Sequence, residues 1–228
     1  MANPEFQPSK EYLSWLMEEV SVDHDNTIGN TKGIVAVKFN AEFKTHHKSV
    51  EISRWHSVAD WAQELGFSRD EALAINNRFW YDPEIINQAE PNPGAIKFLE
   101  RASKKGSLII NSSRAYEQLG GTVGWYRQHA PIIRPEQVIV GLPDIVVPGD
   151  IVAQAASKAW IIRLFGSRSH VEDVPFHAKF ILDNTDAFVF LLSDDASLDE
   201  AYKGRLMRFG GISGQSPDLT LLAELISA

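Results

Sequence analysis

The sequence predicts an α/β protein with a mainly parallel sheet and helices on both faces, and three observations carry that prediction. Short apolar strands alternate with helical segments, polar or acidic residues stand directly after several of those strands, and one early interval of helical pattern interrupts the alternation.

Taken in order, residues 10–19, with Tyr12, Leu13, Trp15, Leu16 and Met17, read as a short helix leading into a brief strand, Val20-Ser21-Val22, that ends at Asp23. Ile34 to Phe43 is a mixed stretch with short apolar alternation. From Ser53 to Asn87 the pattern is helical. Ser57 caps a helix carrying Val58, Trp61, Ala62 and Leu65 that stops at Gly66, and Ser68 caps a second with Glu71 three residues on. Pro91-Asn92-Pro93-Gly94 is a punctuating turn, followed by a helix through Ile96, Phe98 and Leu99. The expected later elements are a strand Leu108-Ile109-Ile110, a helix Val123 to His129, a strand Gln137 to Val140, a helix Ser157 to Phe165, and a strand Phe180-Ile181-Leu182 ending at Asp183. The apolar run Phe188 to Leu192, a strand Leu206 to Phe209 and a last helix from Pro217-Asp218 complete the chain.

Composition bounds the function. The 228 residues are 44% hydrophobic and 23% charged, enough to bury a full core plus a small appended unit. No cysteine is present, so disulfides and thiolate metal sites are excluded. A net charge of −8 argues against gripping a nucleic-acid polymer, and no apolar run approaches a membrane span. The polar start, without the basic-then-apolar order of an export signal, gives a cytoplasmic expectation. A phosphorylated partner would have to be held locally, by a cation, a lysine or backbone amides.

Parallel crossovers bring the strand C-termini to one edge, where ligands bind. Four groups fall there. Asp23-His24-Asp25-Asn26-Thr27 places two carboxylates one residue apart beyond a strand, one suited to nucleophilic attack and the other to proton transfer, with Thr27 bonding back across the turn. Ser112, with Ser113 and Arg114, can cradle a phosphoryl oxygen or cap a helix. Lys158 can neutralise a carboxylate and a phosphate crowded together, or lie on the surface. Asp183-Asn184-Thr185-Asp186 supplies hard oxygen ligands suited to Mg²⁺.

In this order and context the four groups resemble the motifs of the haloacid dehalogenase-like hydrolases over residues 20 to about 190. The resemblance implies a Rossmann-like core of residues 1–29 and 89–228 with a helical cap of the C1 type at 30–88. It also implies that Asp23 attacks phosphorus, Asp25 serves as acid and base, Ser112 holds a phosphoryl oxygen and Lys158 offsets charge. Mg²⁺ would sit among Asp23, the backbone carbonyl of Asp25, and Asp183. An acid/base at Asp25 selects a phosphatase over a dehalogenase. Asn26 stands where the family usually has glycine, so the turn must tolerate asparagine, which can adopt the left-handed conformation. Asn184 stands where many members carry a second aspartate.

Pro91 to Ala95, Trp125 to Val140 and Asp183 to Asp186 are faintly similar to the deoxyribonucleotidase branch of that superfamily, which implies a small phosphorylated metabolite such as a nucleoside monophosphate as substrate. Aromatic residues of the insert form its core or stack on a base, and Trp80 and Tyr81 are the expected exposed pair for substrate binding. Thr27, Ser113 and Arg114 complete the expected substrate contacts, Arg114 alternatively making a surface ion pair. The rival readings are a non-catalytic binding or regulatory module of the same fold, or a phosphotransferase.

Overall fold

The computed structural model describes residues 8–141, 149–209 and 218–226. Along the chain these form α1 (Lys10–Leu16), β1 (Glu19–Val22), α2 (Thr31–Phe43), α3 (Ser57–Glu64), α4 (Arg69–Tyr81), α5 (Pro83–Ile86), α6 (Ala95–Lys105), β2 (Ser107–Asn111), α7 (Leu119–His129) and β3 (Val138–Ile139). Then follow α8 (Ile151–Phe165), β4 (Ser169–Glu172), α9 (Pro175–Asn184), β5 (Phe188–Leu191), β6 (Leu206–Arg208) and α10 (Thr220–Ile226). Two compact units result, one of Met1–Gly29 with Pro91–Ala228, the other Asn30–Glu90.

In the first unit the strands lie in the order β3-β2-β1-β4-β5-β6, and every pairing is parallel. This is the Rossmann-like arrangement. The chain works outward from β1 on one side and then on the other, so the crevice beside the end of β1 is the topological switch point where such sheets bind ligands. The alternation of side chains along β5 shows how two helical layers are held. Phe188 and Phe190 pack with Val20, Val22, Phe98, Trp125 and Leu222, whereas Val189 and Leu191 pack with Ile162, Ala178 and Ile181. Helices α6, α7 and α10 cover one face, and α8 and α9 the other. Gly94 (φ 75°) is required where α6 passes α10, because a Cβ there would lie 2.2 Å from the Thr220 backbone nitrogen. Among the described residues no helix is long and apolar enough to cross a membrane.

Two expectations are corrected. Ile34 to Phe43 is helical: α2 runs from Thr31, with the Asn30 side chain accepting from Gly33 N at 3.0 Å. Phe180-Ile181-Leu182 is part of α9, not a strand. Pro175 occupies the first turn, where its fixed φ suits a helix, and Ala178, Ile181 and Leu182 bury one helical face. The strand lies earlier, at Ser169-His170-Val171-Glu172, and all four residues are buried. Its polar side chains are satisfied internally: Ser169 Oγ donates to Leu16 O at 2.9 Å, and His170 Nδ1 lies 3.0 Å from Ser21 Oγ. The expected last helix starts at Thr220, with Asp218 Oδ1 accepting from its N–H at 2.8 Å; Pro217 lies outside the described residues.

The second unit has its own core of Val35, Phe39, Val58, Trp61, Ala62, Ala72 and Phe79. Its α4 begins with the expected capping box, Ser68 and Glu71 bonding reciprocally. Trp80 and Tyr81, expected to be exposed, are half-buried with their rings 5.3 and 5.4 Å from that of Trp55. His47 stacks on Trp61 at 4.3 Å and packs against this core.

Candidate active site

The turn after β1 is built by its own backbone. Asp23 N extends the sheet ladder to Val171 O at 2.9 Å, and the N–H groups of Ile28 and Gly29 both reach His24 O at 2.9 Å. Asn26 adopts the left-handed conformation, φ 62°, as its place in the turn demands. Asn92, from the Pro-Asn-Pro-Gly turn, donates its side-chain amide to Asn26 O at 2.7 Å and Thr27 O at 3.0 Å. That contact gives the punctuating turn a second role, as a brace for the loop carrying both aspartates. Thr27 Oγ1 donates to Asp23 Oδ2 at 3.3 Å.

Lys158 is buried on α8, and its ammonium bridges two strand ends. Nζ lies 2.7 Å from Asp23 Oδ1 and 2.6 Å from Glu172 Oε2, with His177 Nδ1 at 3.3 Å. Asn111 holds the helix at this height by donating to Lys158 O at 3.1 Å and to Ser21 Oγ at 3.3 Å. Glu172 is fully enclosed: Oε1 accepts from Asp173 N at 3.2 Å and Val174 N at 3.1 Å, and His170 Nε2 lies 3.3 Å from Oε2.

Charge is concentrated here. Burial pushes the Asp23 carboxyl well above its ordinary range; Lys158 opposes that shift, while Glu172, Asp173 and Asp25 add to it. Burial also works against ionised Glu172, but Lys158 and the two histidines outweigh it and hold that carboxyl well below its ordinary value. Burial likewise disfavours the Lys158 ammonium, yet Asp23 and Glu172 keep it protonated above its usual value. His24, behind the turn, is buried and held neutral, its pKa down to about 3, with Nδ1 2.9 Å from Tyr126 Oη.

Ser112 follows β2 directly. Its N–H donates to Ile139 O at 2.9 Å, and its Oγ accepts from Arg114 N at 3.2 Å, so the hydroxyl shapes its own turn as well as facing the strand ends. Ser113 Oγ is buried and has no hydrogen-bond partner among the described residues. Arg114 is buried rather than on the surface. Its Nε lies 2.9 Å from Asp25 Oδ2 and its Nη2 2.8 Å from Oδ1, a two-point pair, while Nη1 donates to Thr122 Oγ1 at 3.0 Å.

The expected metal set needs correction at Asp183. That residue lies on the last turn of α9, with its side chain 42% exposed, 2.5 Å from Lys179 Nζ and bonded to Tyr202 Oη. Helix α9 runs back from the C-terminal end of β4 towards the start of β5, so its final turn lies away from the ligand-binding edge. Asn184 there donates to Phe180 O at 2.8 Å and has no bearing on a metal. Among the described residues, Asp23, Glu172 and Asp173 form the group whose ligand atoms lie within 4.8 Å of one another, in a buried setting. Sequence reasoning missed Glu172 and Asp173 because their strand has only one aliphatic residue, Val171. The available signal was an acid pair two residues before a helix-initiating proline.

These carboxylates meet at the switch point of the sheet, which limits what the chain is related to. Residues 17–180 match the family described as 5′ nucleotidase, deoxy (pyrimidine), cytosolic type C protein. No curated protein matches the chain. Among solved structures, a HAD family hydrolase from Deinococcus radiodurans R1, with bound phosphate and sodium, is similar at 17% identity. The match covers 84% of this chain and 91% of that one with a TM-score of 0.56. A haloacid dehalogenase-like family hydrolase from Streptococcus pneumoniae is similar at 12% identity, over 92% and 99% of the two chains, with a TM-score of 0.58. The structural likenesses bear on the fold, and the family match spans most of the chain; together with the Asp23–Lys158–Glu172 arrangement, they show that this chain belongs to the cytosolic type C 5′-nucleotidase family and is a phosphatase of haloacid dehalogenase type.

Proposed function

We propose that the chain hydrolyses a nucleoside monophosphate, with Mg²⁺ bound, through a phosphoryl intermediate on Asp23. The observation that carries this reading is Lys158 Nζ lying between Asp23 and Glu172, at 2.7 and 2.6 Å, beside the end of the central strand. A lysine buried there has no packing role that leucine would not fill better. Its use is to offset negative charge at a reacting centre.

The donor set fits a divalent cation. Asp23 and Glu172 share the Lys158 ammonium and Asp173 stands beside them, an excess of negative charge that a hard cation offsets, and oxygen donors suit Mg²⁺. Asp23 and Asp173, with Glu172 beside them, would hold it, and the bound ion would supply charge stabilisation for the transferring phosphoryl group.

In the first step Asp23, as the carboxylate that the Lys158 ammonium favours against its burial, attacks phosphorus and the bond to the ester oxygen breaks. That oxygen takes its proton from Asp25, which must enter the step protonated. In the second step a water attacks the aspartyl-phosphate and gives its proton to Asp25, releasing phosphate and restoring Asp23. Thr27 orients Asp23 through their 3.3 Å contact, and Ser112 and Ser113 are assigned to phosphoryl oxygens. Residues 30–90 are assigned the role of a specificity unit.

The test is phosphate release from a panel of phosphomonoesters, including pyrimidine deoxyribonucleoside monophosphates, with Mg²⁺ and with EDTA, alongside Asp23→Asn. Metal-dependent release that Asp23→Asn abolishes is the expected result. A folded protein that releases no phosphate from any compound would point to a non-catalytic module, and product formed only with an added acceptor would point to a phosphotransferase.

A further inference from the structure

The catalytic assignment leaves Arg114 unexplained. Its side chain is 3% exposed, and each face of its guanidinium is already committed. Two edges fork onto Asp25, Nε to Oδ2 at 2.9 Å and to Oδ1 at 3.2 Å, and Nη2 to Oδ1 at 2.8 Å. The third nitrogen donates to Thr122 Oγ1 at 3.0 Å, and that hydroxyl in turn donates to Gln118 O at 2.9 Å. The backbone is fixed as well: Arg114 N donates to Ser112 Oγ at 3.2 Å, and Gly141 N donates to Arg114 O at 2.8 Å.

Paired in this way the resting site holds Asp25 as the carboxylate, the form that takes the water's proton in the second step, and Asp25 takes up the proton it gives to the leaving oxygen when the substrate's phosphate brings further negative charge beside it. Asp25 is the more exposed partner, at 26%, and it sits in a turn whose next residue is left-handed. Without a partner its carboxylate would sample several rotamers. The planar fork of arginine matches a carboxylate at two points and so fixes its plane, which an ammonium cannot do.

We propose, on the basis of the phosphatase reading above, that Arg114 is a positioning residue, whose clamp on Asp25, anchored through Thr122, sets the orientation of the proton-transfer group instead of binding the substrate phosphate. The clamp links two motif loops, the one after β1 and the one after β2, so that the proton-transfer carboxylate is set by the same segment that carries Ser112.

The experiment compares kcat and KM for wild type, Arg114→Met, Arg114→Lys, Thr122→Val, Asp25→Asn and the Arg114→Met/Asp25→Asn double variant. Two substrates are used: a nucleoside monophosphate, whose leaving oxygen needs a proton, and p-nitrophenyl phosphate, whose leaving oxygen does not. Thermal unfolding of each variant is recorded alongside. Arg114→Met is expected to lower kcat/KM on the nucleotide about 10- to 100-fold, and on the aryl ester by less. The double variant should be no slower than Asp25→Asn alone, because the two residues act as a unit. Arg114→Lys keeps charge without the fork and should fall between, and Thr122→Val should show a smaller loss of the same kind. If Arg114→Met does not fold, the Lys and Val variants carry the same comparison. Equal losses on both substrates, carried by KM and adding to those of Asp25→Asn, would overturn the proposal and make Arg114 a phosphate ligand. Absence of turnover by folded wild type would instead remove the phosphatase reading, and this proposal with it.

Discussion

Two lysines, Lys158 and Lys179, meet carboxylates at similar distances in opposite settings. Lys158 meets Asp23 and Glu172 at 2.7 and 2.6 Å with all three side chains buried, whereas Lys179 meets Asp183 at 2.5 Å with both largely exposed. Water screens the second pair and accounts for most of what either charge needs. Burial removes that screening from the first, so each group there depends on the others, and burial and neighbouring charge shift all three pKa values. The contrast shows that distance does not make a site; placement at the carboxyl edge of the sheet and removal from solvent do. The Lys179–Asp183 contact is local to one helix, whereas Lys158 meets acids from distant parts of the chain at the edge where α/β folds bind ligands.

Several substitutions sharpen that contrast, and the largest effect is expected at Lys158. Lys158→Met should abolish turnover and cost about 3–5 kcal/mol of stability, because it leaves buried carboxylates uncompensated. Urea unfolding with and without Mg²⁺ checks this, and added Mg²⁺ should recover more stability in the variant than in wild type. Asp173→Asn comes next. It should preserve the fold but weaken Mg²⁺ activation about 10- to 100-fold, read from the metal concentration giving half-maximal rate. Unchanged activation would remove Asp173 from the metal set.

A smaller effect is expected from pH. His24 titrates near 6.5 when unfolded but is held down to about 3 in the fold, so across that interval the unfolded chain binds a proton that the native one refuses. Stability should therefore fall as pH drops from about 6.5 towards 3, and His24→Phe should flatten that slope in urea midpoints measured through the range. The smallest effect belongs to the exposed pair. Asp183→Asn should leave Mg²⁺ activation and the unfolding midpoint indistinguishable from wild type, and a lost metal response would return Asp183 to the site.

Local sequence was enough for much of this molecule. The capping box at Ser68 and Glu71, the left-handed Asn26, the strand ending at Asp23 and the loop after Ile110 follow from short-range chemistry: caps, turns and apolar runs are decided within a few residues. The parallel α/β class follows from their alternation. The central polar strand did not show in the same way. Ser169-His170-Val171-Glu172 is a strand because β1 and β5 flank it and helices cover it, so its hydroxyl and imidazole find partners on other elements. Conversely, Phe180-Ile181-Leu182 is apolar enough for a strand but helical because Pro175 starts a turn whose buried face it completes.

The site divides along the same line. Sequence by itself determined the Asp23–Thr27 loop, because two aspartates, an αL-tolerant asparagine and a threonine specify a tight turn wherever it lies. Tertiary structure alone decided which acids stand opposite Asp23, that Lys158 is buried between them, and that Arg114 grips Asp25. Those pairings join residues that are distant in the chain, and only folding sets their distance and removes the water between them.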